Sequence, residues 1–188
     1  MNYVRPALLR HLDGFWPQRK KEEFVWTVKP DRPALPDLRI LRIEPQVARE
    51  PWVYVTIGAW EARGIVNHGF EFMLLSRVED PIHIETLAWV ANYHADPAFG
   101  VGIAEVLDLG RPWMDGSACD HLLVSLPYPY GPQFEHCVVG AYHVRFLWLL
   151  PITASEAAFA ETHGVEAFEQ QLEARGVDAV DRSRAAVV

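Results

Sequence analysis

Cys119-x-His121 and the adjacent pair His136-Cys137 are the residues best suited to hold a metal. Residues two apart on a strand project to one face, so Cys119 and His121 can share an ion. His136 and Cys137 are neighbours and can both ligate only from a bent loop. This spacing matches no standard zinc motif, and half-buried residues on neighbouring strands are expected, with no metal and no cofactor. His11, His68, His83, His94, His143 and His163 are scattered along the chain. His94 lies on the apolar side of a helix, where a hydrogen-bonded structural role is expected ahead of catalysis. Ser117, Ser125, Ser155 and Ser183 stand in no nucleophile-elbow context. Neither a G-x-x-x-x-G-K-[ST] loop nor a G-x-G-x-x-G fingerprint occurs, so no phosphate cradle is written in the chain. Glu61, Glu71, Glu85, Asp108 and Asp120 are acid–base candidates in principle. Glu71 alternates with apolar residues in a strand, so its charge must be paired. A structural ion pair with Arg145 is expected.

Aromatic residues offer a different chemistry. With 7 Trp, 6 Tyr and 9 Phe, most must be core, so those set in turns and stiff loops stand out. Trp60 in a connection, Trp113 in a turn, and Tyr128 and Tyr130 in Pro127-Tyr128-Pro129-Tyr130-Gly131-Pro132 are expected to be exposed. Exposed aromatics on stiff loops serve binding surfaces. The formal charge of −8 argues against a nucleic-acid partner and favours a basic protein partner. Cys119 and Cys137 give no disulfide framework, which suits a reducing cytosol. The start, Met1 to Pro6, lacks the apolar core of a signal peptide. Phe146–Ile152 is too short to cross a bilayer. A cytoplasmic protein is expected.

The elements that position these residues centre on Trp52–Leu75. Trp52, Tyr54 and Thr56 alternate with Val53, Val55 and Ile57, then Phe70, Phe72 and Leu74 with Glu71, Met73 and Leu75. Period-two alternation of β-branched and aromatic residues predicts two strands. Gly58 closes the first and Gly69 opens the second. Apolar groups on both faces place the pair inside a sheet. Before it, Asn2 caps a helix carrying Val4, Leu8, Leu12 and Phe15, with Pro6 near its first turn and Gly14 as the stop. Arg19 to Glu23 reads as a solvated loop, Phe24–Val28 as a short strand, Pro30, Pro33 and Pro36 as turns, and Leu38–Ile43 as a strand. After it, Asp80-Pro81 starts a helix bearing Ile84, Leu87, Ala91 and His94, widened by Trp89, Val90 and Tyr93, and Asp96-Pro97 ends it. Strands follow at Glu105–Leu109, Cys119–Leu126, Val138-Val139 and Tyr142–Leu150. Thr153-Ala154-Ser155-Glu156 is a capping box for a helix. Gly164 separates that helix from Val165–Arg175, where Val165, Phe168 and Leu172 share a face and Gly176 is the stop. Helices mixed with strands in series predict one α+β domain over 1–188, with a mixed, mostly antiparallel sheet of about six to seven strands flanked by helices.

Five stretches resemble the Suppressor of fused family, in particular its short bacterial members. Trp52-Val53-Tyr54-Val55-Thr56-Ile57-Gly58 is similar to the family's W-x-Y-[VI]-[ST]-x-G strand, and Gly69-Phe70-Glu71-Phe72-Met73-Leu74 to its G-F-E-L-T-[FL] strand. Leu87–Tyr93 with Phe99-Gly100 resembles its L-A-R-Y helix and following loop. Val144–Ile152 leading into Thr153-Ala154-Ser155-Glu156 resembles its late strand and helix, and Val180-Asp181-Arg182-Ser183 its tail. The resemblance covers about residues 38–185, leaving 1–37 as an N-terminal helix and strand. It implies a compact mixed-sheet domain with no established catalytic activity. The animal member is a two-domain inhibitor clamping a peptide of Gli transcription factors, and this chain corresponds to its first domain. Bacterial members resemble immunity proteins that neutralise toxins. Tyr93 matches the family's helix tyrosine near the peptide site. The family's acidic E-D-P is replaced here by Leu126-Pro127-Tyr128-Pro129, and its W-P and G-D-H are absent.

Three functions follow as expectations. The first is a non-enzymatic protein-binding or inhibitor domain of bacterial immunity type, contacting a protein partner such as a basic toxin domain through Tyr93, Trp60, Tyr128 and Tyr130. The second is a small-molecule binder or hydrolase using His94, His121, His136 or a carboxylate, with several of these side chains converging in a deep cleft. The third is an assembly domain with a large apolar face buried in a symmetric dimer.

Overall fold

The computed structural model describes residues 3–25, 35–64 and 67–188. The element order is α1 (Val4–Phe15), β1 (Lys21–Phe24), β2 (Arg39–Ile43), β3 (Trp52–Ile57), a 3₁₀ turn (Ala59–Gly64), β4 (His68–Ser76), α2 (Ile82–Ala95), β5 (Val106–Asp108), β6 (Cys119–Ser125), α3 (Pro132–Glu135), β7 (His136–Val139), β8 (Tyr142–Thr153), α4 (Ala154–His163) and α5 (Val165–Arg175). Strand order in the sheet is β1-β2-β3-β4-β8-β6-β5, and β7 also pairs with β8. The first three pairings are antiparallel. β4 and β8 run parallel, which requires the long crossover through α2 and the strands beyond it. The α+β class and the mostly antiparallel sheet agree with expectation, with eight strands among the described residues.

The chain forms two compact units, one of Met1–Val101 with Leu126–Trp148, the other of Gly102–Ser125 with Leu149–Val188. In the first unit, β3 and β4 are central strands with apolar residues on both faces. Tyr54, Phe72 and Leu74 are fully buried, as are Val55 and Met73. α2 covers one face: His83 packs on Tyr54 with ring centroids 4.8 Å apart, and His94 lies 5.4 Å from Phe72. α1 covers the other: His11 stacks on Phe146 at 5.4 Å. Phe72 and Leu147 are register partners, so Phe146 beside them points to the opposite face. In the second unit, β5 pairs with β6 antiparallel, and α4 packs on β6.

Local signals explain most boundaries. Asp80 Oδ1 accepts from the Ile82 amide at 2.9 Å, capping α2. Thr153 and Glu156 form the full capping box that starts α4. Gly176 ends α5 in the left-handed conformation at φ 58°. Some expectations are corrected. α1 runs through Gly14 to Phe15, and Tyr3 precedes it; the expected Asn2 cap lies outside the described residues. The first strand among the described residues is Lys21–Phe24, so Lys21 to Glu23 are strand and not loop, and Val25 falls outside it. Its charges sit on a sheet edge, where they are tolerated: Glu22 pairs with Arg42, and Lys21 with Asp13 at 2.7 Å. Residues 26–28, Pro30 and Pro33 lie outside the described residues. Of the apolar face proposed for α5, Phe168 is buried, while Val165 and Leu172 are half-buried.

Candidate functional site

Glu71 sits at the junction where the β3–β4 ladder opens. The ladder ends at Val55 and Met73. Beyond it, the Phe72 amide bonds to the Thr56 hydroxyl at 2.8 Å in place of a backbone partner. The Glu71 carboxyl accepts from the Thr56 hydroxyl and from the amides of Gly58 at 2.7 Å and Ala59 at 3.2 Å, with the Trp60 amide as a further donor. It caps the start of the 3₁₀ turn from across the hairpin. Burial pushes its pKa up to about 8, and these donors limit the rise. The expected partner Arg145 is instead bound to Glu135. The register is the reason: Arg145 pairs with Phe70 and Phe146 pairs with Glu71, which puts Arg145 and Glu71 on opposite faces.

The expected surface aromatics divide. Tyr128 is 58% exposed, held in a turn by Tyr130 and Gly131 amides donating to the Pro127 carbonyl at 2.9 and 3.1 Å. Tyr130 is half-buried against Trp16, 5.0 Å between centroids. Trp60, by contrast, is only 7% exposed. Its ring meets Tyr142 edge to face at 5.5 Å, and β4 crosses it closely at Gly69. Trp113 is fully buried. Short turns leave too little chain to turn these indoles outward, and each buries a large apolar area by folding inward.

Tyr93 belongs to a stack that sequence spacing only half revealed. Trp89, one helical turn earlier, lies 5.5 Å from it, and Phe99 from the following loop stacks at 4.6 Å. Trp89 and Phe99 are 38% and 47% exposed. The i, i+4 spacing of Trp89 and Tyr93 was legible; the return of Phe99 depends on the turn after α2. There the Asp96 carboxylate accepts from Ala98, and the His94 ring accepts from the Val101 amide at 3.1 Å.

Cys119 and Cys137 are buried, and burial raises both thiol pKa values. His121 bonds to its neighbour Asp120 at 2.7 Å. His136 Nδ1 lies 2.9 Å from His143 Nε2, and His143 is the register partner of His68. These three, scattered in sequence, meet across three strands; burial and the neighbouring His136, His68 and Arg145 lower the His143 pKa. Among the described residues, no group of three or more His, Cys, Asp or Glu side chains is arranged to hold a metal.

In the first unit, a cleft of about 310 Å³ opens where α1 ends. Trp16, Ile43 and Val53 form its floor, Phe15, Pro51 and Tyr130 its walls, and Arg19, Glu44 and Glu50 its rim. Nothing in the sequence brings residues 16, 44, 50 and 130 together; sheet register and the proline-framed loop do so.

In the second unit, Glu156 and Arg184 form a buried bidentate pair, with both oxygen–nitrogen distances 2.7 Å. Glu156 also accepts from the amides of Thr153 at 2.8 Å and Val187 at 3.0 Å, and Arg184 donates to the Pro151 carbonyl. Burial alone would raise the Glu156 pKa; Arg184 and the two amides outweigh it and hold the carboxyl low. Sequence reading found the capping role of Glu156 but missed Arg184, whose partner lies 28 residues upstream.

A mostly antiparallel open sheet with α1 and α2 on its faces, and aromatic groups at the surface, defines an α+β fold. The family model for Suppressor of fused protein (SUFU) matches residues 35–185. The chain belongs to the Suppressor of fused family. It is 37% identical to a SUFU homolog from Neisseria gonorrhoeae FA 1090, with a TM-score of 0.85 over 98% of this chain and 96% of that one. A chain of the Sufu–Fu complex matches at TM-score 0.70 and 14% identity, over 97% of this chain and 91% of that chain. Drosophila Suppressor of Fused matches at 0.71 and 14%, over 97% of this chain and 50% of the fly protein. At such identity these two show the fold. No curated protein matches by sequence. Among the described residues, no helix is long and apolar enough to cross a membrane.

Proposed function

We propose that this chain is a non-enzymatic protein-binding and inhibitor domain that acts in the bacterial cytoplasm as an immunity protein, neutralising a toxin by contact. The observation that carries this reading is the Trp89–Tyr93–Phe99 stack, in which exposed Trp89 and Phe99 flank half-buried Tyr93, the residue that matches the family's helix tyrosine. Large rigid rings at a surface supply contact area at little entropic cost. Tyr128 and Tyr130 add contacts from the proline-framed loop; Trp60, being buried, braces the hairpin instead. The family membership and the Sufu–Fu complex of a relative support a protein partner. The charge of −8 suits a basic one.

The test is co-expression with candidate toxin domains encoded beside the gene, reading growth and co-purification. The intact chain restores growth and retains the toxin. Tyr93→Ala and Trp89→Ala, checked for unchanged thermal unfolding, weaken retention by roughly tenfold or more, the range of an interface anchor. Rescue that survives both substitutions, or no retained protein at all, overturns the reading.

A further inference from the structure

We propose that the Trp16–Tyr130 cleft is a receptor for a single basic side chain, lysine or arginine, of a protein partner. The inference rests on the protein-binding reading and adds a second contact site with its own chemistry. At about 310 Å³, the cleft is at the small end of ligand sites, roughly 300–1,000 Å³, which suits one side chain better than a cofactor. Its floor is apolar: Trp16, Ile43 and Val53 are buried. Trp16 and Tyr130 meet edge to face at 5.0 Å, and Phe15 lies 6.2 Å from Trp16. An aliphatic stem fits against such rings, and a cationic head is drawn to their faces.

The rim decides the sign of the charge. It carries two carboxylates, Glu44 and Glu50, against one guanidinium, Arg19. Arg19 is already committed: it pairs with Glu50 and donates to the Glu44 carbonyl at 3.4 Å. Both contacts run through Nη1, and Glu50 answers the guanidinium's charge. Arg19 and the Gln46 amide hold the Glu50 carboxyl down at about 2, so it stays charged. Among the described residues, the Glu44 carboxylate has only the exposed Lys20, at 3.5 Å and at the loose end of an ion pair. It is the acceptor left for a visiting cation. A chain carrying −8 overall adds long-range attraction for the same sign. Anions meet two carboxylates here, and a purely apolar side chain gains the floor but leaves Glu44 unanswered.

The experiment titrates the full chain with the blocked tripeptides acetyl-Gly-Arg-Gly-amide and acetyl-Gly-Lys-Gly-amide. Glutamate and leucine counterparts serve as controls, and the Trp16 indole N–H and Tyr130 ring signals are followed by NMR. The arginine and lysine peptides shift both signals saturably; the glutamate peptide does not, and the leucine peptide binds more weakly. Glu44→Gln, on the half-exposed rim where folding is not at stake, weakens the basic peptides by roughly two- to fivefold, the worth of one exposed ion pair. It leaves the leucine peptide unchanged. Equal or stronger response to the glutamate or leucine peptide, no saturable shift at Trp16, or no effect of Glu44→Gln overturns the proposal. These peptides report on the cleft alone. A failure here with toxin retention intact and sensitive to Tyr93→Ala refutes the cleft and not the protein-binding reading.

Discussion

At Glu71 a carboxyl group is sealed from water among a hydroxyl and backbone amides, and pH acts on it in one direction. Its pKa rises from 4.5 in the ordinary state to about 8 in the fold, so folding takes up a proton. The stabilisation is complete below pH 4.5 and is lost as pH rises through about 8. Denaturant unfolding across that window should show stability falling by roughly 1.4 kcal/mol per unit of effective shift. Glu71→Gln keeps an oxygen for the Gly58 amide, takes the acceptor from Ala59, requires the Thr56 hydroxyl to accept where it now donates, and should flatten the pH dependence. Glu71→Ala leaves buried amides unpaired and should cost about 2–4 kcal/mol below pH 4.5, a cost that shrinks as pH rises towards 8. Glu156 has the opposite sign. Its lowered pKa contributes stability present above the ordinary carboxylate range and lost as pH falls through the folded value. Arg184→Ala strands that charge and should cost about 3–5 kcal/mol by urea unfolding at neutral pH. A loss below about 1 kcal/mol would show that water reaches Glu156 freely.

Elements differ in how far neighbouring residues fix them. Asp80 before α2, the box at Thr153 and Glu156, and Gly176 after α5 act within three or four residues, so their roles were legible. Lys21–Phe24 was not. Three of its four residues are charged, and only the ladder to Ile40–Ile43 makes them a strand. Two glycines test the same contrast. Gly14 lies in α1 with nothing within 4 Å of an added Cβ. Gly14→Ala should therefore raise stability by about 0.5–1 kcal/mol, read as a higher midpoint of thermal unfolding. At Gly69 an added Cβ would fall 2.4 Å from the Trp60 carbonyl oxygen and 2.8 Å from its Cα. Backbone cannot yield as a flexible side chain does, so Gly69→Ala should cost about 1–3 kcal/mol. Equal behaviour of the two variants would mean that the 3₁₀ turn moves aside at little cost.

For the whole molecule, the α+β class and the family were both readable because hydrophobic period, turn residues and motif order survive along the chain. The candidate contact surfaces were readable only in part. Tyr93 and Tyr128 were picked out by a helix face and a stiff loop, and Tyr128 stands at the surface. Trp60 and Trp113 were assigned to the surface because turns are exposed on average, but these turns fold their indoles inward. The partner prediction belongs to this scale. A basic toxin domain should be retained with an affinity that falls as salt rises, since charge steering is screened over about 8–10 Å at physiological ionic strength. A salt-independent affinity would assign recognition to the aromatic stack alone.

The sequence by itself determined the α+β class, the Trp52–Leu75 strand pair, the starts of α2 and α4 and the kinship with Suppressor of fused proteins. Each rests on interactions between residues a few positions apart, or on their order. The tertiary structure alone decided that Glu71 faces amides while Arg145 turns to Glu135. It also decided that Glu156 meets Arg184, and that Trp16, Glu44, Glu50 and Tyr130 line one cleft. Register is the physical reason. A strand turns successive side chains to opposite faces, so a one-residue difference in pairing chooses the partner. That pairing is set by packing against strands and helices distant in the chain.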